Sequence, residues 1–270
     1  MSTILDEIIA HKRNEVAARR ELYPLKLLER ELFFSAQPVS LRDYLKRSDQ
    51  VGVIAEIKRR SPSKGVINQH ISIEDLSIGY MQAGASALSV LTDSAYFGGS
   101  EGDLKIARRC NYCPILRKDF VVDEYQVIEA KAIGADVVLL IAAALSPEQA
   151  RQLGRLARSL GLEVLLEVHS AEELGTHLDQ SVSIVGVNNR DLRDFSVSLD
   201  RARSLYPAIP KEMVAIAESG ISDPLAIVEL KQLGYRGFLI GEAFMRHTQP
   251  ERACERLIGE VKRLYQGDSE

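Results

Sequence analysis

Eight short apolar runs punctuate the chain, separated by longer stretches in which apolar and charged residues recur at helical spacing. The runs lie near residues 53–57 (VIAEI), 87–91 (ALSVL), 114–117 (PILR), 136–141 (DVVLLI), 163–167 (EVLLE), 182–187 (VSIVGV), 213–217 (MVAIA) and 237–240 (GFLI), and each predicts a strand. Their starts fall about 19 to 34 residues apart, which accommodates a strand, a helix and two loops. The helices between them carry their own punctuation. "PEQARQLGRLARSLG" opens on Pro147 after Ser146 and stops at Gly161, and "DPLAIVELKQLG" places Asp223 as cap, Pro224 inside and Gly234 after the end.

A run of eight βα units favours a (β/α)8 TIM barrel, an α/β fold in which parallel strands close around one filled core. The alternative, an open doubly wound sheet, predicts an early G-x-G-x-x-G loop, which the chain lacks. Neither linker nor shift in composition divides the chain. Residues 1–270 therefore read as a single barrel domain, with residues 1–47 as an N-terminal helical extension. In that extension Ile4, Leu5, Ile8 and Ile9 have the spacing of an amphipathic helix, and Val16 continues the stripe.

Composition narrows the class of function. At 270 residues, 46% apolar and 27% charged, the chain can bury a substantial core. A net charge of −4 and a pI near 5.8 argue against a nucleic-acid surface. No apolar run approaches the ~20 residues of a membrane helix. The opening segment lacks the layout of a secretory signal, so a cytoplasmic enzyme is expected. Cys110, Cys113 and Cys254 make no disulfide framework, and "CNYC" has no second ligand pair; free thiols are the better reading. His11, His70, His169, His177 and His247 are scattered, so no metal is indicated.

Chemistry concentrates where the strands end, which in a barrel is one rim. Glu56 and Lys58 interrupt the first run on the same face, since side chains alternate along a strand. Lys118 ends the third run, Glu167 the fifth, and Asn188 the sixth, with Arg190 two residues on. Glu218 and Ser219 end the seventh and Gly241 the eighth. A single ionisable residue at a strand end is often merely solvated, but this repetition on one rim favours an active site. "AESGIS" and "LIGEAF" each pass from strand through glycine into a loop or helix, a layout suited to gripping a phosphate after strands seven and eight.

The motifs "VIAEIKRRSPSKG", "LSVLTDSAYFGGS", "PILRKDF", "LLEVHS", "VGVNNRDL", "AESGI" and "FLIGEAFM" together resemble those of the indole-3-glycerol phosphate synthase family, from the helical extension to the eighth strand. The resemblance implies conversion of 1-(o-carboxyphenylamino)-1-deoxyribulose 5-phosphate to indole-3-glycerol phosphate in tryptophan biosynthesis, with loss of carbon dioxide and water and without a cofactor. It assigns Lys118 as the general acid that protonates the substrate ketone oxygen. Desolvation or a neighbouring cation is the route by which its pKa would fall towards the working range. Glu167 and Glu56 become the acid–base candidates, with Lys58 holding an anionic group of the substrate, and Asn188, Arg190 and Glu218 orienting it. Ser61, Ser219, Gly220 and Gly241 match the phosphate side, and Phe97, Phe120 and Leu139 the side that holds the aromatic ring.

Loop "RRSPSKG" is expected to close over the pocket, with Gly65 as hinge. Glu242 stands where many members of the family have serine, and is expected to point outward, away from the phosphate. The partner implied is a small anionic sugar phosphate, and the working unit a monomer, with association among tryptophan-pathway enzymes left open. Two alternatives remain. A phosphoribosylanthranilate isomerase-like barrel should place a cysteine near the first strand, yet none precedes Cys110. A non-catalytic phosphate-binding barrel should have lost the proton donors.

Overall fold

A computed structural model describes residues 3–191 and 195–267. Eight parallel strands form a closed barrel: β1 (Val53–Ile57), β2 (Ala87–Leu91), β3 (Ile115–Lys118), β4 (Val137–Ile141), β5 (Glu163–Val168), β6 (Ile184–Asn188), β7 (Val214–Glu218) and β8 (Gly237–Ile240). Each strand pairs with its sequence neighbours, and β8 closes on β1 through Val53↔Phe238, Ile54↔Leu239 and Ala55↔Ile240. Closure removes both sheet edges, so the doubly wound alternative is excluded.

The alternation anticipated from the runs sorts residues into two apolar layers. Ile54, Leu116, Leu139, Leu165, Ile184, Ile216 and Leu239 fill the interior, while Val53, Ala55, Leu88, Val90, Val164 and Val185 face the surrounding helices. Full burial of such a side chain contributes about 1.5–3 kcal/mol, so both layers hold the fold together, and the strand–helix layer is much the larger. Helix Leu41–Leu45 adds Leu41 and Leu45 to the interior cluster. It sits at the start of β5, where Ser40 Oγ and Arg42 N–H donate to Glu163 at 2.7 and 3.1 Å. One end of the barrel is thereby closed, leaving the C-terminal rim for a site.

Four strands run one residue beyond the expected ends, to Lys118, Val168, Asn188 and Glu218. The reason is the ladder: Leu91↔Lys118, Val168↔Val187 and Asn188↔Glu218 keep pairing although the side chains turn polar. Helices Pro147–Ser159 and Pro224–Leu233 form where expected, capped by Ser146 and Asp223. The N-terminal helix Ile4–Leu22 begins at a capping box between Thr3 and Asp6. Its inward stripe is apolar with one exception: Lys12, four residues from both Ile8 and Val16, is fully buried.

Candidate active site

Period two brings the strand-end residues to the mouth of the barrel, where a cavity of about 440 Å³ opens. Glu56, Lys58, Lys118, Glu167, Asn188, Arg190 and Glu218 all line it. So do Ser61, Phe97, Phe120, Leu139, Ser219, Gly220 and Gly241, which places every residue singled out from the sequence in one cavity. The Ile4, Leu5 and Ile8 side chains of the N-terminal helix complete the apolar wall. The sequence predicts that stripe only as the apolar face of an amphipathic helix.

Lys118 is the electrostatic centre. Its Nζ lies 3.0 Å from Glu167 Oε2 and 3.7 Å from Glu218 Oε2. Burial alone would lower its pKa, but Glu167, Glu218 and Glu56 outweigh burial and raise it. The expected fall towards the working range does not occur, because the nearest charges are carboxylates rather than cations. Lys118 is held as an ammonium in the cavity, donating to Glu167.

The two nearest carboxyls are driven apart. Burial pushes Glu167 up, but Lys118, then His169 and a hydrogen bond from Asn188, outweigh it and bring its carboxyl well below the ordinary range. The Asn188 amide donates to Glu167 Oε1 at 2.9 Å, and the Asn188 carbonyl oxygen accepts Arg190 N–H at 3.0 Å. Glu218 is raised by burial and then by the negative charge of Glu167. Its Oε1 is buried without a hydrogen-bond partner among the described residues. One carboxyl is thus ionised and the other retains its proton, a division that suits base and acid work.

Two glycines leave room for these carboxyls. A Cβ on Gly186 would come within 2.2 Å of Glu218 Oε1, and one on Gly241 within 2.4 Å of Glu56 Oε1. Glu56 Oε1 in turn lies 2.5 Å from Lys58 Nζ, so the acid and base that share a face of β1 form an ion pair.

Ser219 and Gly220 both adopt left-handed backbone, with φ of 66° and 73°. Asn189, overlooked in the sequence between two residues that were noticed, holds this turn. Its Nδ2 donates to Glu218 O at 2.9 Å and Ser219 O at 3.2 Å, and its backbone N–H also reaches Glu218 O at 2.9 Å. Glu242 does not point away from the site. It lines the cavity rim 3.7 Å from Arg190 Nη2 and 3.9 Å from Lys64 Nζ, because these cations attract it.

The loop after β1 folds into a small hairpin, Arg60–Ser61 against Gly65–Val66, and Pro62, Ser63 and Lys64 line the cavity. Arg59 anchors it to Gly98 O at 3.1 Å and to Asp103. Ser61 Oγ accepts Lys64 N–H at 3.2 Å. Gly65 has a left-handed φ of 67° and closes the hairpin turn.

Phe97 and Phe120 form a tilted pair with centroids 6.0 Å apart, making an aromatic wall opposite the glycine turns. A barrel rim that gathers a lysine between two carboxyls, an aromatic pair and a left-handed turn at Ser219 and Gly220 in one cavity has the layout of an enzyme site for a small molecule.

Comparison with known proteins narrows this class. Residues 5–257 match the family model of indole-3-glycerol phosphate synthase. A curated indole-3-glycerol phosphate synthase from Bacteroides thetaiotaomicron is 45% identical over 262 residues, covering 97% of this chain and 100% of the relative. One from Dechloromonas aromatica is 45% identical over 264 residues, covering 96% and 100%. Among solved structures, tryptophan synthase subunit alpha from Legionella pneumophila superposes with a TM-score of 0.60 at 16% identity, covering 84% of this chain and 97% of that one. At that identity the likeness shows the barrel fold alone. The chain belongs to the indole-3-glycerol phosphate synthase family, carboxy-lyases of tryptophan biosynthesis. No helix among the described residues is long and apolar enough to cross a membrane.

Proposed function

We propose that this cavity binds 1-(o-carboxyphenylamino)-1-deoxyribulose 5-phosphate with its aryl ring against Phe97, Phe120 and Leu139 and its phosphate at Ser219, Gly220 and Gly241. Ser61 and Arg190 complete the phosphate side, where Lys64 and Arg246 add positive charge and offset Glu242. Lys58, tied to Glu56, faces the substrate carboxylate.

Ring closure joins an aryl carbon to the ketone carbon, and the ketone oxygen gains a proton from Lys118. The raised pKa of Lys118 keeps that proton present at neutral pH. The closed ring carries an iminium that accepts the electron pair released as carbon dioxide leaves, so the substrate supplies its own electron sink. Departure of the new hydroxyl as water then needs an acid, and loss of a ring proton needs a base. Glu167, held ionised 3.0 Å from Lys118, is the base and returns the proton to it. Glu218 keeps its own proton and limits the negative charge around Lys118, while Glu56 serves the acid step through Lys58.

The observation that carries this reading is Lys118 Nζ, 3.0 Å from Glu167 Oε2 and 3.7 Å from Glu218 Oε2, in the cavity that Phe97 and Phe120 also line. The working unit is read as a monomer, placed in the cytoplasm with the rest of its pathway. A purified sample given the substrate should generate indole fluorescence without added metal or cofactor. Because the chain has no tryptophan, no indole of the protein contributes to that emission. Binding without any indole signal would instead support the non-catalytic alternative.

A further inference from the structure

Lys12 is the buried group that the chemistry above does not use. It lies on the N-terminal helix, outside the barrel, and yet is 0% exposed. Its Nζ is 2.9 Å from Asp93 Oδ2, 3.1 Å from Asp119 Oδ1 and 3.0 Å from Glu15 Oε1. Asp93 follows β2 and Asp119 follows β3, and both are buried. Arg117 also pairs with Asp119, but Lys12 pairs with both aspartates and so offsets their repulsion across the two loops in a poorly screened setting.

Each aspartate also holds the amide of one wall residue. Asp93 Oδ1 accepts Tyr96 N–H at 2.7 Å and Phe97 N–H at 3.1 Å. Asp119 Oδ1 accepts Phe120 N–H at 2.8 Å, while its Oδ2 accepts Thr92 Oγ1–H at 2.5 Å and Arg117 Nη2–H at 3.2 Å. The same helix places Ile4, Leu5 and Ile8 on the cavity wall, one to two turns before Lys12. A single ammonium therefore ties together the helix, the Phe97 loop and the Phe120 loop.

We propose that Lys12 is a positioning residue for the aryl half of the site, fixing the separation of Phe97 and Phe120 and seating the Ile4–Leu5–Ile8 wall against them. The proposal rests on the reading of that wall as the aryl contact. Lys12 touches no substrate. It acts through Asp93 and Asp119 and leaves the phosphate turn at Ser219 and Gly220 untouched.

The test compares two ligands on each variant: indoleglycerol phosphate, followed by its own fluorescence, and inorganic phosphate, followed by competition. In Lys12→Met the product Kd should rise about tenfold, while the inhibition constant of phosphate stays within about twofold. Val16→Ala is the control, because it weakens packing of the same helix without disturbing the ion pairs. Both of its constants should remain within about twofold of wild type. Asp93→Asn keeps the acceptor for Tyr96 and Phe97 but loses its charge, and should raise product Kd by about threefold. It decides the matter if Lys12→Met does not fold.

An unchanged product Kd in the folded Lys12→Met and Asp93→Asn proteins would overturn the proposal. So would a phosphate constant that rises in step with product Kd, or a Val16→Ala effect as large as that of Lys12→Met. Failure of the underlying activity shows separately, as a wild-type protein that forms no product.

Discussion

Replacing Lys118 by methionine keeps most of the side-chain volume and removes the one cation between Glu167 and Glu218. With Nζ 3.0 Å from Glu167 Oε2, a Coulomb estimate at an effective dielectric of ~20 gives about 5–6 kcal/mol, or about 4 pKa units. Glu167 titrates at about 2 beside the lysine. In the variant its pKa should therefore rise, so the base is partly neutralised as well as the acid lost. Loss of a positioned proton donor alone lowers rate by about 10²–10⁴-fold, equivalent to about 3–5 kcal/mol of barrier. The aromatic wall and the phosphate turn are unaltered, so product Kd should stay within about threefold. Stopped-assay turnover and equilibrium fluorescence on the same preparation separate the two effects. Turnover within tenfold of wild type would refute the assignment, and so would a product Kd that rises in parallel with the loss of rate.

The other expectations concern the neighbours of Lys118. Glu218 is held protonated through neutrality and titrates at about 8, becoming a second anion beside Glu167 as pH rises. Wild-type kcat/KM should therefore fall on the alkaline side with a midpoint near about 8, and Glu218→Gln, neutral throughout, should retain activity there. An identical alkaline limb in the variant would assign that titration to another group. Gly241→Ala puts a methyl 2.4 Å from Glu56 Oε1. It should cost about 1–3 kcal/mol of stability and displace Glu56, lowering kcat more than it changes KM. A wild-type Tm together with a wild-type kcat would refute the close packing of Gly241 on Glu56.

What was readable in advance follows from short-range geometry. Strand alternation depends only on the backbone, so Glu56 and Lys58 had to share a face, as did Asn188 and Arg190. Closure of eight similar units then carried every strand-end residue to the same rim. The apolar runs stop one residue short of Lys118 and Glu218, whereas the backbone ladders Leu91↔Lys118 and Asn188↔Glu218 continue regardless of the side chain.

Properties set by distant neighbours could not be read that way. Nothing local in the sequence marks Lys12, because its partners Asp93 and Asp119 lie far along the chain. Asn189 was hidden because its role depends on the carbonyls of Glu218 and Ser219 arriving from β7. The direction of the Lys118 shift was misjudged for the same reason: pKa reports the charges that surround a group in space. Glu242 was expected to face outward, and Arg190 and Lys64 hold it on the cavity rim.

The sequence by itself determined the barrel, the rim and the types of residue on it, because hydrophobic periodicity and turn chemistry act over a few residues. Only the tertiary structure decided which carboxyl keeps its proton, which lysine stays charged and which one is structural. Those outcomes depend on Coulomb interactions and desolvation, and both are set by distances that do not exist until the chain has closed.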